Sequence, residues 1–155
     1  KAPYQQSVKE GLLLTTPGKT IAYDFIALRI GELTKEHKIE AVAFDQWHFD
    51  EMEKALNDVD VNLSCVKHQQ GFIGMNPAIE ATEEEINNSR LRHGGNALLT
   101  RSVFNVKVIS NTQKLRMFDK QKATGRIDPA TALVMAVGLA KSYDQGQGSY
   151  ACTVI

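Results

Sequence analysis

The chain is 155 residues long and 43% hydrophobic, enough for one domain with a buried core and not obviously enough for two. Eighteen lysines and arginines balance eighteen acids, which argues against a protein that holds nucleic acid by bulk charge alone. No run approaches the roughly 18 apolar residues of a membrane span, and Lys1-Ala2-Pro3-Tyr4-Gln5 lacks the apolar run of a signal peptide, so a soluble protein without membrane partners is expected.

After the turn Thr16-Pro17-Gly18-Lys19, Ile26, Ile30 and Leu33 recur at helical spacing and predict a first helix. Residues 39–45 are short, mostly apolar and end in an acid, the pattern of a buried strand in a sheet covered on both faces. Phe49, Met52 and Leu56 mark a second helix. Residues 61–66 predict another strand, running into a glycine turn at Gln69-Gln70-Gly71-Phe72, and a β-α-β rhythm emerges. Asn76-Pro77 reads as a helix N-cap followed by proline at the first helical position, with Ile79 and Ile86 on one face and Glu83, Glu84 and Glu85 outward. A further helix is expected over residues 96–105. Residues 106–109 and 115–118 flank Ser110-Asn111-Thr112-Gln113-Lys114 and predict a hairpin projecting from the α/β core. Asp128-Pro129 opens a last helix whose Ala132, Leu133, Ala136, Val137 and Ala140 form a small-residue face for close packing on a sheet. Gln145-Gly146-Gln147-Gly148-Ser149 reads as part of a flexible tail over residues 144–155.

Charge is unevenly spread. Residues 1–60 carry 7 Lys/Arg against 11 Asp/Glu, and residues 61–155 carry 11 against 7. Lys114, Arg116, Lys120, Lys122 and Arg126 crowd a span opposed only by Asp119, a pattern shared by solvated loops and phosphate-contact surfaces.

Several chemistries fail on spacing. Pro17-Gly18-Lys19-Thr20 ends like a phosphate loop, but Leu13 stands where that loop needs its first glycine, and a Pro-Gly turn explains the same residues. No Gly-x-Ser-x-Gly elbow is present. Cys65, in an apolar run, lacks an activating partner, and with Cys152 it suits a reducing compartment as a structural bystander. His48 and His93 have no zinc spacing and read as solvated or hydrogen-bonded groups. Trp47 reads as a core or edge anchor beside Asp45 rather than a base-stacking residue.

Two acids stand out. Asp45 closes an apolar strand, and ligand sites of α/β folds form at that carboxyl edge; a helix-cap or turn aspartate has the same pattern. Asp128, before Pro129, is an N-cap pattern first. Capping and metal binding use different carboxylate lone pairs and are compatible.

Taken in order, Tyr4…Gly11-Leu12-Leu13…Thr16-Pro17-Gly18, Ala43-Phe44-Asp45-Gln46-Trp47, Gln70-Gly71-Phe72…Met75, His93-Gly94-Gly95-Asn96 with Asn105, and Lys122…Arg126-Ile127-Asp128-Pro129…Ala132-Leu133…Ala136 resemble the large-terminase family of tailed bacteriophages and prophages. The likeness spans residues 4 to 143, and order and spacing carry it. It departs at Ala97, where the family often has proline, and at Arg101, where an aromatic is common.

The resemblance implies an RNase H-like mixed sheet flanked by helices, with an added β-hairpin. It also implies an endonuclease whose clustered acids hold two Mg²⁺ or Mn²⁺ ions and which cuts concatemeric double-stranded DNA during packaging in the bacterial cytoplasm. In a full-length protein, a small terminase subunit and the portal are the implied partners. By carry-over Asp45 is the second family acid and Asp128 the last, both as catalytic metal ligands. Lys122 matches a family lysine near that acid, and with Lys120 and Arg126 it is a candidate DNA contact. The family's first acid lies upstream of the segment that Lys1 resembles, so residues 1–143 are expected to be an N-terminally truncated nuclease domain without the ATPase half. Two other readings stay open: a non-catalytic remnant serving as an interaction module, and another RNase H-like enzyme such as a resolvase or transposase.

Overall fold

In the computed structural model, which describes residues 4–147, the span that reads as one domain divides into two compact units, Lys1–His68 and Gln69–Ile155. The first unit carries a short helix α1 (Tyr4–Lys9) and helix α2 (Tyr23–Glu36). Strand β1 (Val42–Asp45), a 3₁₀ turn (Gln46–His48), helix α3 (Phe49–Asp58) and strand β2 (Cys65–His68) follow. Phe49, Met52, Ala55 and Leu56 fall on one face of α3 and are all buried, as a 3.6-residue repeat requires. Ala27 of α2 joins Met52, Ala55 and Leu56 in the core, with Ile26, Ile30, Phe44 and Val61 packed around them.

β1 and β2 pair in parallel, from Val42 opposite Cys65 to Asp45 opposite His68, with α3 as the crossover between them. β1 is half-buried along its whole length, where its apolar sequence predicts burial on both faces. β2 starts four residues after the expected 61–66 strand begins. The reason is the end of α3: Asp60 adopts a left-handed φ of 55°, and the Val61 N–H closes back on the Leu56 carbonyl at 2.9 Å. Val61 therefore serves the helix terminus and the core before extension can begin.

The second unit holds α4 (Phe72–Asn87), α5 (Ala97–Asn105), an antiparallel hairpin of β3 (Val108–Ser110) and β4 (Arg116–Phe118), and α6 (Asp128–Gln147). α4 begins four residues before Asn76, so Pro77 lies inside the helix and does not open it. Gly71 stands at the N-cap position, and Gly74 permits a tight first turn: a Cβ there would meet the Gln69 carbonyl oxygen at 2.1 Å. Asn76 is 9% exposed. Its Nδ2 donates to Glu80 Oε1 at 3.0 Å and its Oδ1 accepts the Arg116 N–H at 3.0 Å. Ile79 is buried at 4% exposure, whereas Ile86, expected on the same face, is 55% exposed in the last turn of α4.

The hairpin is seated on α4 instead of projecting from the core. Besides the Asn76 contact, the Arg116 guanidinium forks onto both Glu83 oxygens at 2.7 and 2.9 Å. α6 packs chiefly on α4 and α5, so its close-packing partners are helices where a sheet was expected. Leu133 and Val137 are buried, but Ala132 and Ala136 face solvent; Ala130, Thr131, Val134 and Met135 complete the buried face. At Gly138 the helices approach closely: a Cβ there would lie 2.5 Å from Ala78 Cβ. Of the tail expected over residues 144–155, helix α6 takes up the part to Gln147; the rest, with Cys152, lies outside the described residues. No helix among the described residues is long and apolar enough to cross a membrane.

Candidate active site

Asp45 ends β1 at the carboxyl edge of the parallel pair, with His68 opposite it in register. Its Oδ1 accepts the Trp47 N–H at 3.2 Å, making Asp45 the cap of the 3₁₀ turn. The turn and edge readings of this residue are therefore both realised. The other carboxylate oxygen has no hydrogen bond among the described residues. Trp47 is neither core nor anchor: it is 78% exposed, because the 3₁₀ turn directs the chain into α3, whose first core contact is Phe49. Lys67, one residue before His68, belongs to the opposite face by strand alternation. Its Nζ lies 4.4 Å from the Phe49 ring centre and 3.5 Å from Asp50 Oδ1.

Asp128 stands at the head of α6, exposed, with no side-chain partner among the described residues. The cap position expected of it falls one residue earlier: the Ile127 carbonyl accepts the Thr131 N–H at 2.9 Å, so Asp128 is the first helical residue. Ser102, 2% exposed on α5, accepts the Ala130 N–H on its hydroxyl oxygen at 2.9 Å, taking one of the helix's orphan donors. Asn105, one turn further along α5, holds the approach to Asp128: its Nδ2 donates to the Arg126 carbonyl at 3.2 Å and its Oδ1 accepts the Thr124 hydroxyl at 3.0 Å. Gly125 fits between them, since a Cβ there would lie 2.7 Å from Asn105 Nδ2. Neither role is legible in the sequence. Asn105 is visible only as a landmark and Ser102 as an ordinary helical residue, because the contacts join residues 21 and 28 apart.

The basic span divides. Arg116 is committed to Glu83, whose hydrogen bond and charge raise the guanidinium pKa against the opposing effect of burial. Lys122 Nζ lies 3.7 Å from Asp119 Oδ2. Lys120 and Arg126 are exposed, and their side chains meet no partner among the described residues. A second charged cluster joins the end of α4 to α6. Lys141 and Arg90 hold Glu84 below the usual carboxylate range, and Arg90 does the same for Glu85. The Cys65 thiol is pushed up by burial and then by Glu53, which disfavours the nucleophilic thiolate. His48 is exposed, 3.9 Å from Glu51; His93 Nδ1 is buried without a hydrogen-bond partner.

Asp45 belongs to the first unit, and Asp128, Lys120, Lys122 and Arg126 to the second. Among the described residues no three His, Cys, Asp or Glu side chains gather as a metal cage. Each acid nevertheless offers uncommitted carboxylate oxygen, the hard donor that Mg²⁺ and Mn²⁺ favour. The donor chemistry fits a divalent ion; the ligand count within either unit is short.

A mixed α/β chain with acids at a strand end and a helix head presents hard oxygen donors of the kind divalent-metal enzymes use. The chain matches the family model "Terminase large subunit, endonuclease domain" over residues 1–144. It is 38% identical over 148 residues to the large terminase subunit of Enterobacteria phage HK97, covering 96% of this chain and 29% of that protein. The crystal structure of the HK97 bacteriophage large terminase superposes with a TM-score of 0.84 at 39% identity, over 89% of this chain and 29% of that one. The large terminase nuclease from thermophilic phage G20c matches in fold, with a TM-score of 0.59 at 13% identity, over 81% of this chain and 64% of that one. The chain belongs to the terminase large-subunit endonuclease-domain family, and its fold is the RNase H-like α/β fold of terminase nucleases. That family is one of hydrolases with a general divalent-metal dependence. The chain spans about three-tenths of the length of the HK97 relative.

Proposed function

We propose that this chain is the nuclease part of a DNA-packaging terminase, cutting concatemeric double-stranded DNA with Asp45 and Asp128 as carboxylate ligands of two Mg²⁺ or Mn²⁺ ions. The observation that carries the reading is Asp128. It is the first residue of a helix, and its carboxylate is exposed and makes no bond among the described residues. An exposed carboxylate is ordinary by itself; what supports a ligand role is that Arg126-Ile127-Asp128-Pro129 resembles the late acid motif of the family.

Bound divalent ions supply activation of the attacking water and stabilisation of the leaving oxygen. The protein's own share is to hold them and to orient DNA. Asp45 presents its unbonded oxygen at the end of β1, with its other oxygen tied to the Trp47 N–H. Lys120 and Arg126 are free to meet phosphates, and Lys122 can do so by releasing its 3.7 Å contact with Asp119. A host-cell cytoplasmic location, with the small terminase subunit and portal as partners of the full-length protein, completes the reading.

Plasmid nicking in Mn²⁺ by protein carrying this chain with its upstream sequence tests it. Asp45→Ala and Asp128→Ala should each abolish cutting; parental rates in both would end the assignment. The lack of three gathered acids among the described residues favours a second reading, a non-catalytic module of the same fold. Nicking by the 155-residue chain itself would defeat that reading.

A further inference from the structure

We infer that Ser102 and Asn105 are positioning residues for Asp128, a pair on one face of α5 that fixes the backbone delivering its carboxylate. The inference rests on the reading of Asp128 as a metal ligand. The Ile127 carbonyl accepts the Thr131 N–H at 2.9 Å, so Asp128 is the first helical residue, and the cap position before it holds an isoleucine that cannot satisfy a first-turn N–H. Here the Ala130 N–H is taken by Ser102 at 2.9 Å. The serine is 2% exposed, so no water competes for the bond.

Asn105, three residues along α5, secures the other side. It donates to the Arg126 carbonyl at 3.2 Å, accepts the Thr124 hydroxyl at 3.0 Å, and its own carbonyl accepts the Thr124 N–H at 3.3 Å. Ile127, 2% exposed, anchors the intervening residue in the core. Asp128 therefore sits between two fixed backbone points, the Arg126 carbonyl and the Ala130 N–H. Its side chain is exposed and makes no bond among the described residues. Fixing the backbone that carries a ligand preorganises a metal site.

Mn²⁺ affinity, read by calorimetry beside a thermal melt, tests this in protein carrying the chain with its upstream sequence. Asp128→Ala should weaken Mn²⁺ binding. Ser102→Ala, Asn105→Ala and Thr124→Val should each weaken it by roughly 10-fold or more. None of the three should weaken it further in the Asp128→Ala background. A lowered melting temperature with parental Mn²⁺ affinity would make Ser102 and Asn105 merely structural and overturn the inference. Parental affinity in Asp128→Ala itself would instead remove the ligand reading, and the positioning role with it. Thr124→Val changes an exposed hydroxyl and keeps the test decisive should Ser102→Ala not fold.

Discussion

Alanine at position 138 sets two physical effects against each other. In an ordinary helix interior, replacing glycine by alanine stabilises by about 0.5–1 kcal/mol, because glycine loses more backbone entropy on folding. At Gly138 the added methyl would lie 2.5 Å from Ala78 Cβ and 2.9 Å from Ala78 Cα. Neither atom can rotate away, since both are fixed to the α4 backbone, so α4 and α6 must separate. Forced overpacking of this kind costs about 1–3 kcal/mol. The clash wins, and Gly138→Ala is expected to destabilise by about 1 kcal/mol, opposite in sign to helix propensity. With a urea slope of about 2 kcal/mol/M, the midpoint should fall by roughly 0.5 M at unchanged slope, followed by far-UV circular dichroism. A rise in the midpoint would refute the close helix contact.

The carboxylates gathered on Arg90 predict a pH dependence. Glu84 and Glu85 have folded pKa values below their ordinary 4.5, so their contribution is fully present above that pH and is lost as pH falls through the depressed values. Arg90→Gln should be slightly less stable than parent at neutral pH, and the difference should fade below pH 4.5 in an acid titration; a constant difference would mean that Arg90 acts by packing. Lys120→Ala and Arg126→Ala should each weaken duplex binding and lower the slope of log K against log salt by about 1 if each meets one phosphate. Unchanged slopes measured by anisotropy would remove both from the DNA path.

What could be read from the residues follows a physical division. Helices α2 and α3 were legible because their apolar residues repeat locally; α5 was expected over residues 96–105, and in the structure Asn96 is its N-cap, with a side chain that accepts from the Leu98 and Leu99 N–H. β1 and its terminal Asp45 were legible from an apolar run closed by an acid. α4 was misjudged at its start, because Asn76-Pro77 has the composition of a helix opening while the true opening depends on the bare Gly74 approaching Gln69. The hairpin was found, but not its seat on α4, which depends on Glu83 and Asn76 meeting residues 33 and 40 positions away. Asp128 was found and its capping role misassigned, because Asp-Pro has the composition of a cap while the helix opens on the Ile127 carbonyl one residue earlier. Ser102 meets Ala130 only once α5 and α6 are packed, and no local spacing encodes that meeting.

Trp47 has a practical consequence. It is the only tryptophan in the chain, and at 78% exposure its indole already stands largely in water in the folded protein. Its emission is thus a poor monitor of unfolding, because denaturation changes its surroundings little. Its amide, however, donates to the Asp45 carboxylate. The ring is an optical label built in two residues from a candidate ligand, suited to reporting occupancy of that edge by an ion or a strand of DNA.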